Sequence, residues 1–302
     1  MSTREAQARE QRLGREPLTP TGSHAGLLRG TAGSLAQLYR YRELLGLLVR
    51  RELKARFKDS ALGFAWSLLR PLALLVVYYV AIGKFLGAER AIPDFAIYIF
   101  SGLTIWSLFS EIVNSGTGSI LNNSGLIKKV YLPREVFPLS VVGSAVFNFV
   151  TQLVILIAVV VVVGPTPSGA RLLFLPLSLV VILVYATALA LVLSAVNVYL
   201  RDVQYLVEIA LMVLFWASPV VYSWALVQNV LRSDFWEQVY LSNPVTAAVL
   251  GMQRAFWVAG TDQPFPSGLA VRLLVMLGIG MLLIWLGHRL FARLEGNFAQ
   301  EL

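Results

Sequence analysis

Glu111 is the only charged side chain in the stretch 95–116. An ionisable group inside an apolar run is costly to place in a membrane and faces protein or water. Asn114 and Ser115, about one turn further on, are positioned to share its hydrogen bonds. Two kinds of chemistry fit such a group: orienting neighbouring helices, or touching a polar substrate. Asn148, Gln152 and Asn197 raise the same choice, and interhelical hydrogen bonding suits them best. Other reactive arrangements are scarce. The chain has no cysteine, which excludes disulfides, thiolate nucleophiles and Cys-ligated metal. Its two histidines, His24 and His288, are too few and too far apart for a metal or triad site. No catalytic residue and no metal site is expected.

A phosphate-binding loop is also missing. Gly83-Lys84 is followed by Phe85, and Tyr78 stands where the first glycine of G-x-x-x-x-G-K-[ST] belongs. Nothing in the chain is equipped to hydrolyse ATP.

The elements that carry these residues are membrane helices. Of 302 residues, 57% are apolar and only 14% charged, and the mean hydropathy is +0.70; a soluble domain has about a quarter charged residues. A hydrocarbon core about 30 Å thick requires roughly 20 helical residues. Six runs qualify: 62–86, 95–116, 136–163, 172–198, 205–222 and 269–290. The expected fold is therefore all-α, a polytopic bundle of six transmembrane helices. The first run contains Arg70-Pro71, with the proline in its early turns and the arginine free to snorkel. The residues before Gly26 are polar and carry no apolar signal segment, so a retained, disordered tail is expected.

Positive charge sets the direction. With the N terminus inside, Arg40, Arg42, Arg50, Arg51, Lys54, Arg56, Lys58, Lys128, Lys129, Arg134, Arg201, Arg289 and Arg293 fall on the cytoplasmic side. The other side receives only Lys84, Arg90, Arg171, Arg232, Arg254 and Arg272. Both termini are expected in the cytoplasm. The net charge of +8 suits anionic lipid headgroups, at about 1 kcal/mol per basic residue near the surface, better than nucleic acid.

Three segments are not ordinary spans. "RRELKARFKDSALGFAW", from Arg50, packs five cations into nine residues before turning apolar. Tyr41, Leu44, Leu45 and Leu48 recur at helical spacing opposite Arg42, Glu43, Arg50 and Lys54, so 39–58 reads as an amphipathic helix in the cytoplasmic interface. The stripe is clean only to Val49; Arg51, Glu52 and Arg56 blur it, and a bare basic anchor is the alternative. Residues 122–138 mix Leu, Ile, Val and Tyr with Lys and Arg and carry two prolines, which suits either a partner surface or a turn resting on headgroups. Residues 245–258 are apolar but too short to cross, as in interfacial or re-entrant segments, and Asn243-Pro244 marks a helix start. The aromatics nearby, Trp224, Phe235, Trp236, Tyr240, Phe256 and Trp257, fit an aromatic belt or a lid beside a sugar path.

Ser60, Leu62, Gly63, Trp66 and Pro71 in "RFKDSALGFAWSLLRPL", then "LIKKVYLPREVFPL" and "SNPVTAAVLGMQRAF", resemble the membrane subunits of ABC-2 type exporters. The polysaccharide branch that exports O-antigen, teichoic acid and related lipid-linked glycans is the nearest likeness, from about residue 39 to the C terminus. The resemblance implies an interface helix at 39–60, after a tail at 1–38, carrying Tyr41, Leu44, Leu48, Arg50, Arg51 and Lys54 beside an ATPase subunit. Within the transmembrane domain at 61–302 it implies a coupling segment at 122–138. There Lys128, Lys129, Arg134 and Glu135 make polar contacts and Leu126, Ile127, Tyr131 and Leu132 supply the buried part. It implies re-entrant helices at 243–260 gating the exit, with Asn243, Pro244, Met252, Arg254, Phe256 and Trp257. It implies a homodimer whose channel is lined by the first, second and fifth spans. Tyr78, Tyr79, Phe100, Trp106, Phe109, Glu111, Phe215, Trp216 and Tyr222 are the channel candidates. The chain itself would hold no cofactor; ATP and Mg would be bound by the ATPase partner. An ion-coupled transporter, an intramembrane transferase and an ABC-2 exporter of drugs or small lipids are the alternatives. The first two lack the acidic clusters their chemistry needs.

Overall fold

Inside a bilayer no water is available to satisfy backbone N–H and C=O groups, so apolar runs of this length close their hydrogen bonds within helices. The computed structural model describes residues 40–57, 65–129, 132–231 and 233–302, and helices are the only regular structure among them. The expected disordered tail at 1–38, the family-like residues Ser60, Leu62 and Gly63, and Tyr131 of the coupling segment lie outside the described residues.

Helix α1 spans Arg42–Phe57. Helix α2, Ala65–Tyr78, contains Pro71 and runs into a π-helical stretch, Tyr79–Phe85. Together they reach about 30 Å at 1.5 Å per residue. Helix α3 is Phe95–Asn122, the one-turn helix α4 is Ser124–Ile127, and α5 is Val136–Val163. A 3-10 turn, Gly169–Leu173, leads into α6, Phe174–Tyr199. Helix α7 is Val203–Trp216, followed by α8, Trp224–Val230, α9, Asp234–Leu241, and α10, Pro244–Phe256. Helix α11, Leu269–Leu294, and the short α12, Phe298–Glu301, end the chain.

Helices α3, α5, α6 and α11 are long and apolar enough to cross a membrane. The fifth expected span differs. Helix α7 has 14 residues, about 20 Å at 1.5 Å per residue, and it stops at Ala217 because Pro219 cannot continue the ladder and disfavours helix at Ser218. The hydropathy of 217–222 carries no trace of this stop. The turn that follows is buried, with Ser218, Val220 and Val221 shielded from solvent. Side chains supply what the backbone lacks there: Gln253 Nε2 donates to the Pro219 carbonyl at 2.9 Å, and Tyr98 donates its hydroxyl to the Tyr222 carbonyl at 2.7 Å. Irregular backbone at such depth is tolerated only inside protein.

Helix α3 is the axis of the bundle, packed by α5, α6, α7 and α10. Close approach depends on small residues, as expected where lipid leaves no hydrophobic drive between helices. A Cβ at Gly116 of α3 would fall 2.6 Å from that of Ala190 on α6, and one at Gly251 of α10 would collide with the Ser178 hydroxyl on α6.

Candidate functional site

A cavity of about 900 Å³ opens between α2, α3, α5 and α7. Leu103, Trp106, Ser107, Ser110, Glu111, Asn114 and Ser115 share one face of α3, at the 3.6-residue repeat, and all line it. The lining is completed by Trp66, Pro71, Leu74 and Tyr78 from α2, Leu211, Met212, Phe215 and Trp216 from α7, and Asn148 and Gln152 from α5. The α3 and α5 residues supply the amide and hydroxyl groups and a single carboxylate, with Leu103 and Trp106 among them; the α2 and α7 wall is apolar and rich in aromatic rings. Trp106 meets Phe215 edge to face with centroids 5.3 Å apart, and Tyr78 lies 6.1 Å from the same ring.

Asn148 Nδ2 donates to Glu111 Oε1 at 2.8 Å, joining α5 to α3. The carboxylate is therefore reached from a neighbouring helix, whereas Asn114 accepts from Gln204 Nε2 at 2.7 Å and ties α3 to the start of α7. Asn197 donates to the Thr117 carbonyl at 3.1 Å, another interhelical bond. Such a wall can hydrogen-bond hydroxyl groups, and the aromatic wall can pack against C–H faces. No group of acidic and histidine side chains suited to a metal occurs among the described residues.

Of the channel candidates, Tyr78, Trp106, Glu111, Phe215 and Trp216 line this cavity. Four others lie elsewhere in the structure. Phe100 and Phe109 are buried in the bundle: α10 and the 217–223 turn close over the Phe100 end of α3, and Phe109 shares the face of Ile105, Ile112 and Gly116. Tyr79 packs on Phe95. Tyr222 donates to the Trp216 carbonyl at 2.6 Å and meets the Tyr240 hydroxyl at 3.1 Å. Trp66, Ser107, Ser110 and Met212 are lining residues that sequence reasoning missed. The i, i+3, i+4 repeat of small polar residues along α3 was the available signal.

The basic end of the bundle is built from α1, α4 and the start of α5. Tyr41, Leu44, Leu45, Leu48 and Val49 turn toward the protein, with Leu48 fully buried, while Arg42, Arg50, Arg51 and Lys54 face outward. Lys128 and Lys129 are exposed after α4; Leu126, Ile127, Leu132 and Arg134 are half-buried, and Arg134 lies over the Phe298 ring at 5.5 Å. Glu135 is buried, with Oε1 3.0 Å from His288 Nε2 on α11.

The exit-gate candidates lie on and beside α10. Asn243 caps α10, accepting from the Val245 N–H at 3.0 Å, and Pro244 takes the first turn, where a missing N–H costs nothing. Met252, Phe256 and Trp257 are buried, Trp257 donates its indole N–H to the Pro93 carbonyl at 2.6 Å, and Arg254 stacks over Phe265 at 4.9 Å. Helix α10 is apolar nearly all round and sits inside the fold, so its aromatics pack the interior. The exposed aromatics near it are Phe235 and Trp236 of α9, at 66% and 58% exposure.

The cavity lies in a bundle four of whose helices, α3, α5, α6 and α11, are long and apolar enough to cross a bilayer, as in a multi-pass membrane protein. Residues 43–257 match the family described as ABC-2 type transporter, and the chain belongs to that family. Among individual proteins, it is 31% identical over 266 residues to the O-antigen export system permease protein RfbA of Myxococcus xanthus, covering 88% of this chain and 98% of that protein. It is 25% identical over 261 residues to the RfbA of Klebsiella pneumoniae, covering 86% and 95%. A shorter match, 35% over 81 residues, covers 26% of this chain and 31% of the polysialic acid transport protein KpsM of Escherichia coli.

Proposed function

We propose that this chain is the permease subunit of an ATP-driven exporter that moves a lipid-linked cell-envelope polysaccharide across the cytoplasmic membrane. The observation that carries the reading is the cavity of about 900 Å³, lined by amide and hydroxyl groups of α3 and α5 and by aromatic rings of α2, α3 and α7. A sugar chain presents both hydroxyls and C–H faces, and the two walls complement them. The names of the similar proteins point to the same class of cargo.

In this reading the basic end is cytoplasmic, with both termini, and rests among anionic headgroups. An ABC ATPase subunit, holding ATP and Mg, docks against α1 and the coupling segment through Arg50, Lys54, Lys128 and Lys129, and two copies of the chain pair around the cargo path. ATP binding closes the ATPases, and the closure rocks the permeases as rigid bodies. Such coupling requires contacts that differ between the two states, which a short structured segment supplies better than a loose loop.

The test is reconstitution of the purified chain with the ATPase that co-purifies with it. Lipid-linked glycan is expected to stimulate hydrolysis and to cross the membrane only with ATP, and Trp106→Ala is expected to lower export while hydrolysis persists. Uphill transport by the chain alone on an ion gradient would overturn the reading, and stimulation by small amphiphiles but not by glycan would overturn the cargo.

A further inference from the structure

Helix α1 carries a carboxylate on its inward face. Glu52 continues the stripe of Tyr41, Leu45, Leu48 and Val49, and it accepts hydrogen bonds from Ser140 Oγ and Ser144 Oγ of α5, both at 2.9 Å. The serines stand one turn apart on α5 and are buried. Between them Gly143 leaves room for Val49, whose Cγ2 would lie 2.7 Å from a Cβ there. The adjacent Arg51 donates to Asn123 Oδ1 at the end of α3, and Asn123 in turn donates to the Ser119 carbonyl at 2.8 Å. Asn123 stands at the start of the coupling segment and Ser140 just beyond its end, so two consecutive residues of α1 hold both ends of it.

A helix that merely floats among anionic headgroups has no use for an inward carboxylate, which would be repelled there. The serines do not need Glu52 for their own satisfaction either: each has a second acceptor within reach for its one hydroxyl hydrogen, the Phe137 carbonyl at 2.8 Å for Ser140 and that of Val141 at 3.0 Å for Ser144. What the carboxylate adds is a fixed seat for α1 on α5. Resting on the proposed coupling to an ATPase, we infer that Glu52, assisted by Arg51, is a positioning residue that makes α1, the coupling segment and α5 one rigid unit. Force received anywhere on the basic face then reaches the cavity wall carrying Asn148 and Gln152, with no slippage between α1 and the bundle.

Two measurements on the reconstituted permease–ATPase complex test this. Cargo exported per ATP hydrolysed is expected to fall roughly fivefold in Glu52→Ala, within the range for residues that carry coupling without touching ligand, while complex yield is retained. Glu52→Gln, which can accept from one serine and donate to the other, is expected to restore the ratio. Export and hydrolysis falling in step, with the ratio unchanged, would reduce Glu52 to a fold-stabilising residue and overturn the inference. Because the chain is free of cysteine, Val49→Cys with Gly143→Cys gives a clean second readout. The pair is expected to cross-link on oxidation with export preserved. A cross-link that stops export until it is reduced, or one that never forms, would overturn the rigid unit. An ATPase that fails to co-purify with the wild-type chain would instead overturn the proposed function, and cross-link formation would still report whether α1 is seated on α5.

Discussion

The polar side chains of the bundle work in pairs across helices. Asn148 reaches Glu111 from α5, so Asn148→Leu is expected to cost about 1 kcal/mol, the scale of interhelical hydrogen bonds in membranes. Thermal unfolding in detergent measures the loss. Export should fall further than stability does, because the same change removes a polar group from the cavity wall. Glu135 and His288 form a more buried pair at 3.0 Å. Removing one member leaves the other without its partner, and His288→Ala is expected to cost about 3 kcal/mol. Replacing both by leucine should recover much of that loss, and a double-mutant cycle isolates the coupling. Single and double variants of equal stability would show that the pair is not formed.

At the level of elements, contact between helices is set by where a side chain is missing. Gly251 faces Ser178 with no space for a Cβ, whereas a Cβ at Gly278 of α11 meets nothing within 4 Å. Gly251→Leu is therefore expected to push α10 off α6 and to lower the melting temperature sharply, overpacking costing about 1–3 kcal/mol or more. Gly278→Ala should leave stability unchanged to within about 1 kcal/mol. Equal melting temperatures for the two variants would refute the packing of α10 inside the bundle. Helix α1 shows the same dependence on its neighbour: Arg51 and Glu52 spoil its apolar stripe only until Asn123, Ser140 and Ser144 are placed opposite them.

For the whole molecule, the distribution of charge predicts a direction in the membrane that labelling can read. Lys129→Cys, at the basic end, should react with a membrane-impermeant maleimide only after the membrane is opened, and Phe235→Cys, on exposed α9, should react in intact cells. The reverse pattern would invert the proposed topology and detach α1 and the coupling segment from any cytoplasmic ATPase. Both cysteines reacting from the same side would place α9 and the basic end on one face and remove a crossing from the bundle.

The sequence by itself determined the class of fold. Apolar length is a direct reading of bilayer thickness, so the runs at 136–163 and 269–290 appear as α5 and α11. Cap chemistry is local, so Asn243-Pro244 marked the start of α10. The cation-rich stretches that form the basic face were equally visible. Which side of each helix matters was decided only in three dimensions. In hydrocarbon both the lipid-facing and the protein-facing side of a helix are apolar, so periodicity alone cannot separate Trp106, in the cavity, from Phe109, in the core. The inward turn of Glu135 was hidden for a related reason: it depends on His288, a partner distant in the chain, and only folding brings the two together. The early end of α7 was local, marked by Pro219, but a reading of hydropathy passes over it.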